Sequence, residues 1–189
     1  MKKNNSGMIT LEACISVLSF LMLMLFISGL FVVFMAQNLT AHVTLQTAQS
    51  LSLDAYSNEK ITHSIENMDD ADSLGKLIEA FVIRFFGEGG ENKEYFVTTD
   101  DWYNDPAKIE EVVKKRFTGY LSGGDENRAN SILSMLNVKG DLGDLDFSGS
   151  HVKDGTLYVV LSYELEYDFN IGDLGTIKVT QTACAKLWK

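Results

Sequence analysis

Residues 8–36 read MITLEACISVLSFLMLMLFISGLFVVFMA, an unbroken apolar run in which Glu12 is the only charge. About 20 apolar residues, rising 1.5 Å each, cross a hydrocarbon core of about 30 Å. This stretch exceeds that length, so it can span with some tilt or emerge as a continuing helix. A cleaved secretory signal has a shorter apolar core, about 7–15 residues, and ends at a small-x-small site. Here the exit is Phe34-Met35-Ala36, with a bulky residue where a small one is required. The segment is therefore expected to remain in the membrane. Lys2 and Lys3 precede it, and the positive-inside bias puts that end in the cytoplasm and everything after the span outside.

Past the run, polar residues return at Gln37, yet no helix breaker follows until well beyond Tyr56. Leu39, Val43, Ala48, Leu51 and Ala55 recur at three- to five-residue steps among Gln, Thr, Ser and His, the spacing of a one-sided helix. One long helix is expected, with a transmembrane half over 8–36 and an amphipathic half over 37–57. Residues 58–140 form a helical insertion that opens with a polar, acidic connector over 58–71. Leu74 to Phe86 fit a helical template closed by Gly87, Gly89 and Gly90. A second helix opens at Asp105-Pro106, an acceptor cap followed by proline at the first helical position. It buries Ile109, Val112, Val113, Phe117, Tyr120 and Leu121 and stops at Gly123-Gly124. A third runs from Asp125 to Leu136 with Ile132, Leu133 and Leu136 inward.

The period changes to two beyond Gly140. Leu157, Val159, Leu161, Tyr163, Leu165, Tyr167 and Phe169 alternate with polar residues, the pattern of a strand with one buried face. Asp154-Gly155 is a favoured two-residue hairpin turn and pairs this strand with one near Leu145–Lys153. After Asp173-Leu174-Gly175, the positions Ile177, Val179, Ala183, Ala185 and Leu187 continue the alternation, with Gln181 the exception. Residues 141–189 are thus an antiparallel β-meander of three strands. Its apolar face needs a cover, which the amphipathic half of the long helix can supply. The expected fold class is α+β.

Several chemistries find no support. The net charge of −10 argues against nucleic acid or an anionic membrane surface as partner of the exported part. His42, His63 and His151 are scattered without metal-ligand spacing. Asp144, Asp146, Ser148 and Gly149 match the first half of a calcium loop, but Gly155 stands where its bidentate acid belongs. Cys14 and Cys184 are separated by a membrane helix and are expected to be unpaired. No nucleophile elbow, phosphate loop or dinucleotide fingerprint occurs. Neither a catalytic residue nor a cofactor or metal site is expected.

The residues that speak to function are Gly7-Met8-Ile9-Thr10-Leu11-Glu12. A short basic leader, residues 1–7, ends in glycine; an apolar run begins at once, and a lone glutamate stands five residues on. A carboxylate in a bilayer is costly and usually has a partner or a task. This combination resembles the cleavage and assembly signal of type IV prepilins. In detail, Gly-Met-Ile-Thr-Leu-Glu-Ala ahead of a long helix resembles TadE-type minor pilins of tight-adherence pili. Val159-Val160-Leu161-Ser162-Tyr163 and Ala183-Cys184-Ala185-Lys186-Leu187-Trp188 add to the likeness. The chain departs from many such proteins at Leu18, where they carry proline, and at Trp188-Lys189, where they end in Trp-Thr-Gly. The resemblance implies cleavage between Gly7 and Met8 by a prepilin peptidase. It also implies a Glu12 carboxylate that meets the new Met8 amine of a neighbouring subunit. Other pilin subunits, an assembly ATPase and a membrane platform are the partners it implies. The competing expectations are an uncleaved, signal-anchored extracellular binding module and a membrane-tethered hydrolase.

Overall fold

The structure, a computed structural model, describes residues 6–65, 95, 96, 98, 102–167 and 175–187, with side chains of the first helix from 8 to 55. Helix α1, Ser6–Ile65, is continuous over 60 residues, about 90 Å of rod at 1.5 Å per residue. The connector expected from residue 58 is helical through Ile65. Residues 57–65 are polar apart from Ile61 and Ile65 and contain neither Gly nor Pro, and polarity alone does not end a helix. The helix expected over 74–86 lies outside the described residues.

A 3₁₀ turn at Trp102–Asn104 leads to α2, Pro106–Ser122. The Asp105 side chain accepts from the Ala107 amide at 3.0 Å, and Pro106 takes the first helical position. Gly123 closes the helix at φ 76°, its amide bonded to the Gly119 carbonyl, a left-handed conformation that only glycine adopts freely. Ile109, Val113, Phe117 and Leu121 are buried as the spacing predicts, while Val112 and Tyr120 are half-buried. Helix α3, Glu126–Met135, is capped by Asp125, which accepts from the Arg128 amide at 3.1 Å. It turns Ala129 and Leu133 inward, and Leu136 just past its end is also buried.

Strands β1, His151–Lys153, β2, Thr156–Glu166, and β3, Thr176–Lys186, form an antiparallel sheet in sequence order. Asp154 and Gly155 both have positive φ, 52° and 69°, as a type I′ hairpin requires. The register places Lys153 against Thr156, and Val159, Leu161 and Tyr163 against Ala183, Gln181 and Val179. The predicted length of β1 is corrected: only three residues pair, because the chain before them is drawn inward. Phe147 is fully buried against Phe117, ring centroids 5.2 Å apart. Around it, the Ser148 amide bonds the Asp146 carboxylate and the Ser150 amide bonds the Phe147 carbonyl. Asp146 and Ser162 still exchange both backbone bonds, and residues 137–139 bond the backbone of Glu164 and Glu166. That edge of β2 is thus sealed by loop.

The buried face of β2, Leu157, Val159, Leu161, Tyr163 and Leu165, lies under α1, each residue no more than 4% exposed. Each such side chain contributes about 1.5–3 kcal/mol relative to exposure. The α+β architecture, a long helix, two small helices and a three-stranded meander packed on the long helix, is the one expected. The face of α1 that meets the sheet is not the expected one in detail. Val43, Ala48, Leu51 and Ala55 are buried, but so are Thr40, Thr44, Thr47, Ser50 and Ser52, while Leu39 is only half-buried and Leu45 and Leu53 are exposed. Small side chains let the sheet approach closely. The Thr40 and Thr44 hydroxyls fold back onto the Ala36 and Thr40 carbonyls, each at 2.7 Å, which makes them acceptable in an apolar seam.

Candidate functional site

The helix begins at Ser6, so Gly7 and the bond to Met8 lie in its first turn. First-turn amides have no acceptor within the helix, and glycine is about 1 kcal/mol poorer than alanine in a helix. Met8 is 75% exposed, and Glu12 stands exposed one turn further on the same side. Every residue from Met8 to Ser28 is exposed, and Glu12 forms no ion pair with a described residue. A lone carboxylate on a bare apolar rod must find water or a positive group supplied by another molecule. Cys14 is exposed on this rod and Cys184 on β3, both as free thiols.

Protein cover begins at Gly29, seven residues before the end of the span expected over 8–36. Gly29 is buried, Val32 and Val33 are half-buried, and Ala36 is fully buried. The cause is Tyr167, which follows β2. Its hydroxyl donates to the Phe26 carbonyl at 3.0 Å, and its ring meets Phe26 edge-on at 6.1 Å. A Cβ on Gly29 would lie 2.8 Å from that ring, so a larger residue there would push the ring off its seat. Farther along, the Gln181 side-chain amide donates to the Gln37 carbonyl at 2.9 Å. Thr40 donates to Ala36, which leaves the Tyr163 hydroxyl to donate to Thr40 at 2.8 Å. Burial pushes the Tyr163 hydroxyl above its ordinary value, against a smaller opposite pull from Thr40. Ser52 then bonds the Lys186 carbonyl. These contacts follow α1 from Phe26 to Ser52 while descending β2 and ascending β3, so the helix lies nearly along the strands.

A second seam joins α1 to α2. Arg116 is 1% exposed, and its guanidinium reaches Ser50, the Asp54 carboxylate and the Phe96 carbonyl. The same guanidinium lies 5.6 Å from the centroid of the Phe96 ring. Burial pushes the Asp54 carboxyl up, while the charge and hydrogen bond of Arg116 pull it down. The arrangement is that of a structural tie.

The remaining candidates resolve into local structure. Asp144 accepts from the Asp141 amide and Asp146 from that of Ser148, so both acids of the half calcium loop cap turns. Hydrogen bonds from Ser148 hold Asp146 below the usual aspartate range. His42 is exposed on α1. His151 bonds the Gly149 carbonyl at 2.8 Å and stacks on Tyr158, and the side chain of His63 is outside those described. Among the described residues no three His, Cys, Asp or Glu side chains gather as a metal site. Gly29 and Arg116 escaped the sequence reading, and Tyr167, expected on the apolar face of the strand, follows β2 and meets α1 instead: nothing local marks a tyrosine at a strand end and a glycine in an apolar run as partners. No protein-family model, curated protein or solved structure matches this chain, so its functional reading rests on the residues themselves.

Proposed function

We propose that the chain is a non-enzymatic, TadE-like minor pilin or pseudopilin of a type IV-related, tight-adherence-type assembly. In this reading a prepilin peptidase cuts between Gly7 and Met8, and Glu12 then serves assembly by pairing with the Met8 amine of a neighbouring subunit. The protein is a single-pass membrane protein, N-terminus cytoplasmic and sheet domain extracellular, and its partners are the peptidase, other pilin subunits and the assembly machinery. The observation that supports this best is the division of labour along α1. The residues of the rod from Met8 to Ser28 are exposed, a glutamate near its start has no ion pair among the described residues, and a compact domain is built only on the distal part. An ordinary signal anchor has no need of a carboxylate at that place.

Mass spectrometry of the N-terminus tests the reading, using protein from the membranes of a host with an active prepilin peptidase. The expected first residue is Met8. Gly7→Phe should leave the chain inserted but uncut. Wild-type protein that still begins at Met1 overturns the proposal in favour of an uncleaved, signal-anchored binding module.

A further inference from the structure

The apolar surface of α1 ends at different heights on its two sides. On the sheet side it ends at Phe26–Gly29, where Tyr167 docks. On the opposite side Ile27, Phe31, Phe34 and Met35 remain 51%, 64%, 60% and 48% exposed, and the first polar residues there are Asn38 and His42. Nine residues separate Phe26 from Met35, about 13 Å along the helix. The sheet bears charge over that same interval. Glu164 and Glu166 lie on β2 between the Tyr163–Thr40 and Tyr167–Phe26 contacts. Lys178 stands opposite Glu164 in the register, and Lys139 pairs with Glu164 at 2.9 Å. Lipid cannot surround that end of the sheet, because charges do not enter hydrocarbon without partners or water. An upright helix would therefore either sink these charges or leave Phe31, Phe34 and Met35 in water.

The geometry points to a third arrangement: the outer surface of a phospholipid bilayer cuts α1 obliquely, at Phe26 beneath the sheet and near Met35 on the free side. The helix then leans so that its free face dips into lipid. Tyr167, with an apolar ring on Phe26 and a hydroxyl on its carbonyl, sits at headgroup level, where tyrosines concentrate. An independent length agrees. Met8 to Met35 spans about 41 Å, against a hydrocarbon core of about 30 Å, and a tilt of roughly 40° reconciles them, at the upper end of the range of transmembrane helices. Tilt is set by packing and by aromatic anchors, and here the domain supplies both, at Gly29 and Tyr167. The inference rests on the reading that α1 spans a bilayer, and it adds which face of the exported part touches lipid.

The test uses the full chain with Cys14 and Cys184 replaced by serine, reconstituted in phosphatidylcholine vesicles. Single cysteines at Leu21, Phe34 or Lys178 carry an environment-sensitive fluorophore. Phe34 and Lys178 stand at similar heights on opposite sides. Lipid-borne spin labels should quench the probes at Leu21 and Phe34, and aqueous iodide should quench only the probe at Lys178. Iodide quenching at both Phe34 and Lys178 overturns the oblique geometry while leaving the span intact. A Phe34 probe shielded from both quenchers, more so at high protein-to-lipid ratio, also overturns it, because a second copy then covers the face. Iodide quenching at Leu21 overturns the membrane reading itself.

Discussion

Leu161→Ala probes the seam on which the exported fold depends. Leu161 is fully exposure-free at the centre of β2, between Val159 and Tyr163 on the face beneath α1. Truncating a core leucine costs about 2–5 kcal/mol, more where the surroundings cannot close on the cavity. Here they cannot close easily, because the Tyr163–Thr40 bond and the Ser52–Lys186 bond hold the helix off the sheet on either side. About 3–4 kcal/mol is expected, a large share of the ~5–15 kcal/mol that holds a domain folded. With a urea dependence of about 2 kcal/mol per molar, the midpoint should fall by roughly 2 M. Full-length protein in mild detergent would be titrated with urea while following the emission of Trp102, which is completely buried and shifts red on unfolding. Thr182→Ala, on the exposed side of β3, is the control and should stay within about 0.5 kcal/mol of wild type. Leu161→Asp should abolish the transition, since it adds an unpaired buried charge. A Leu161→Ala midpoint equal to that of Thr182→Ala refutes the packing of α1 on β2.

Removing the carboxylate that Arg116 holds, by Asp54→Asn, should cost about 2–3 kcal/mol in the same titration, below the ~3–5 of a fully buried pair because Asp54 retains 26% exposure; Arg116→Met should cost less, because the Asp54 carboxylate it leaves unpaired is partly exposed and can hydrate, whereas the guanidinium is buried. Tyr163 makes the fold alkali-sensitive. Its pKa is raised above 10.0 by burial, so its contribution is fully present below pH 10 and is lost as pH rises through the folded value. Tyr163→Phe should flatten the fall in stability above pH 10 at a cost near neutrality of about 1 kcal/mol for the lost hydrogen bond, and an unchanged alkaline profile would show that this hydroxyl titrates freely. Glu12→Val should insert as well as wild type or better and still be cut after Gly7, but should lose cross-linking to pilin subunits. Unchanged assembly would mark Glu12 as a tolerated interfacial residue.

Much of this architecture follows from local chemistry. The apolar run over 8–36, the capping pair Asp105-Pro106, the turn Asp154-Gly155 and the alternation from Leu157 each act over a few residues, and the structure has the elements they imply. The proposed signal at Gly7, Met8 and Glu12 is likewise read from spacing along one chain. Elements whose form depends on distant partners were not. Residues 145–150 have a strand's composition, but Phe147 is worth more against Phe117 than in a ladder. Thr40 and Thr44 resemble a solvent face, yet a sheet more than a hundred residues away covers them and their hydroxyls bond back to the helix. Where the sheet domain first covers α1 has the same kind of cause. Hydropathy counts residues along α1, whereas Tyr167 claims Phe26 and Gly29 from 141 residues away, and a contact at that separation leaves no periodicity in the sequence by which to foresee it.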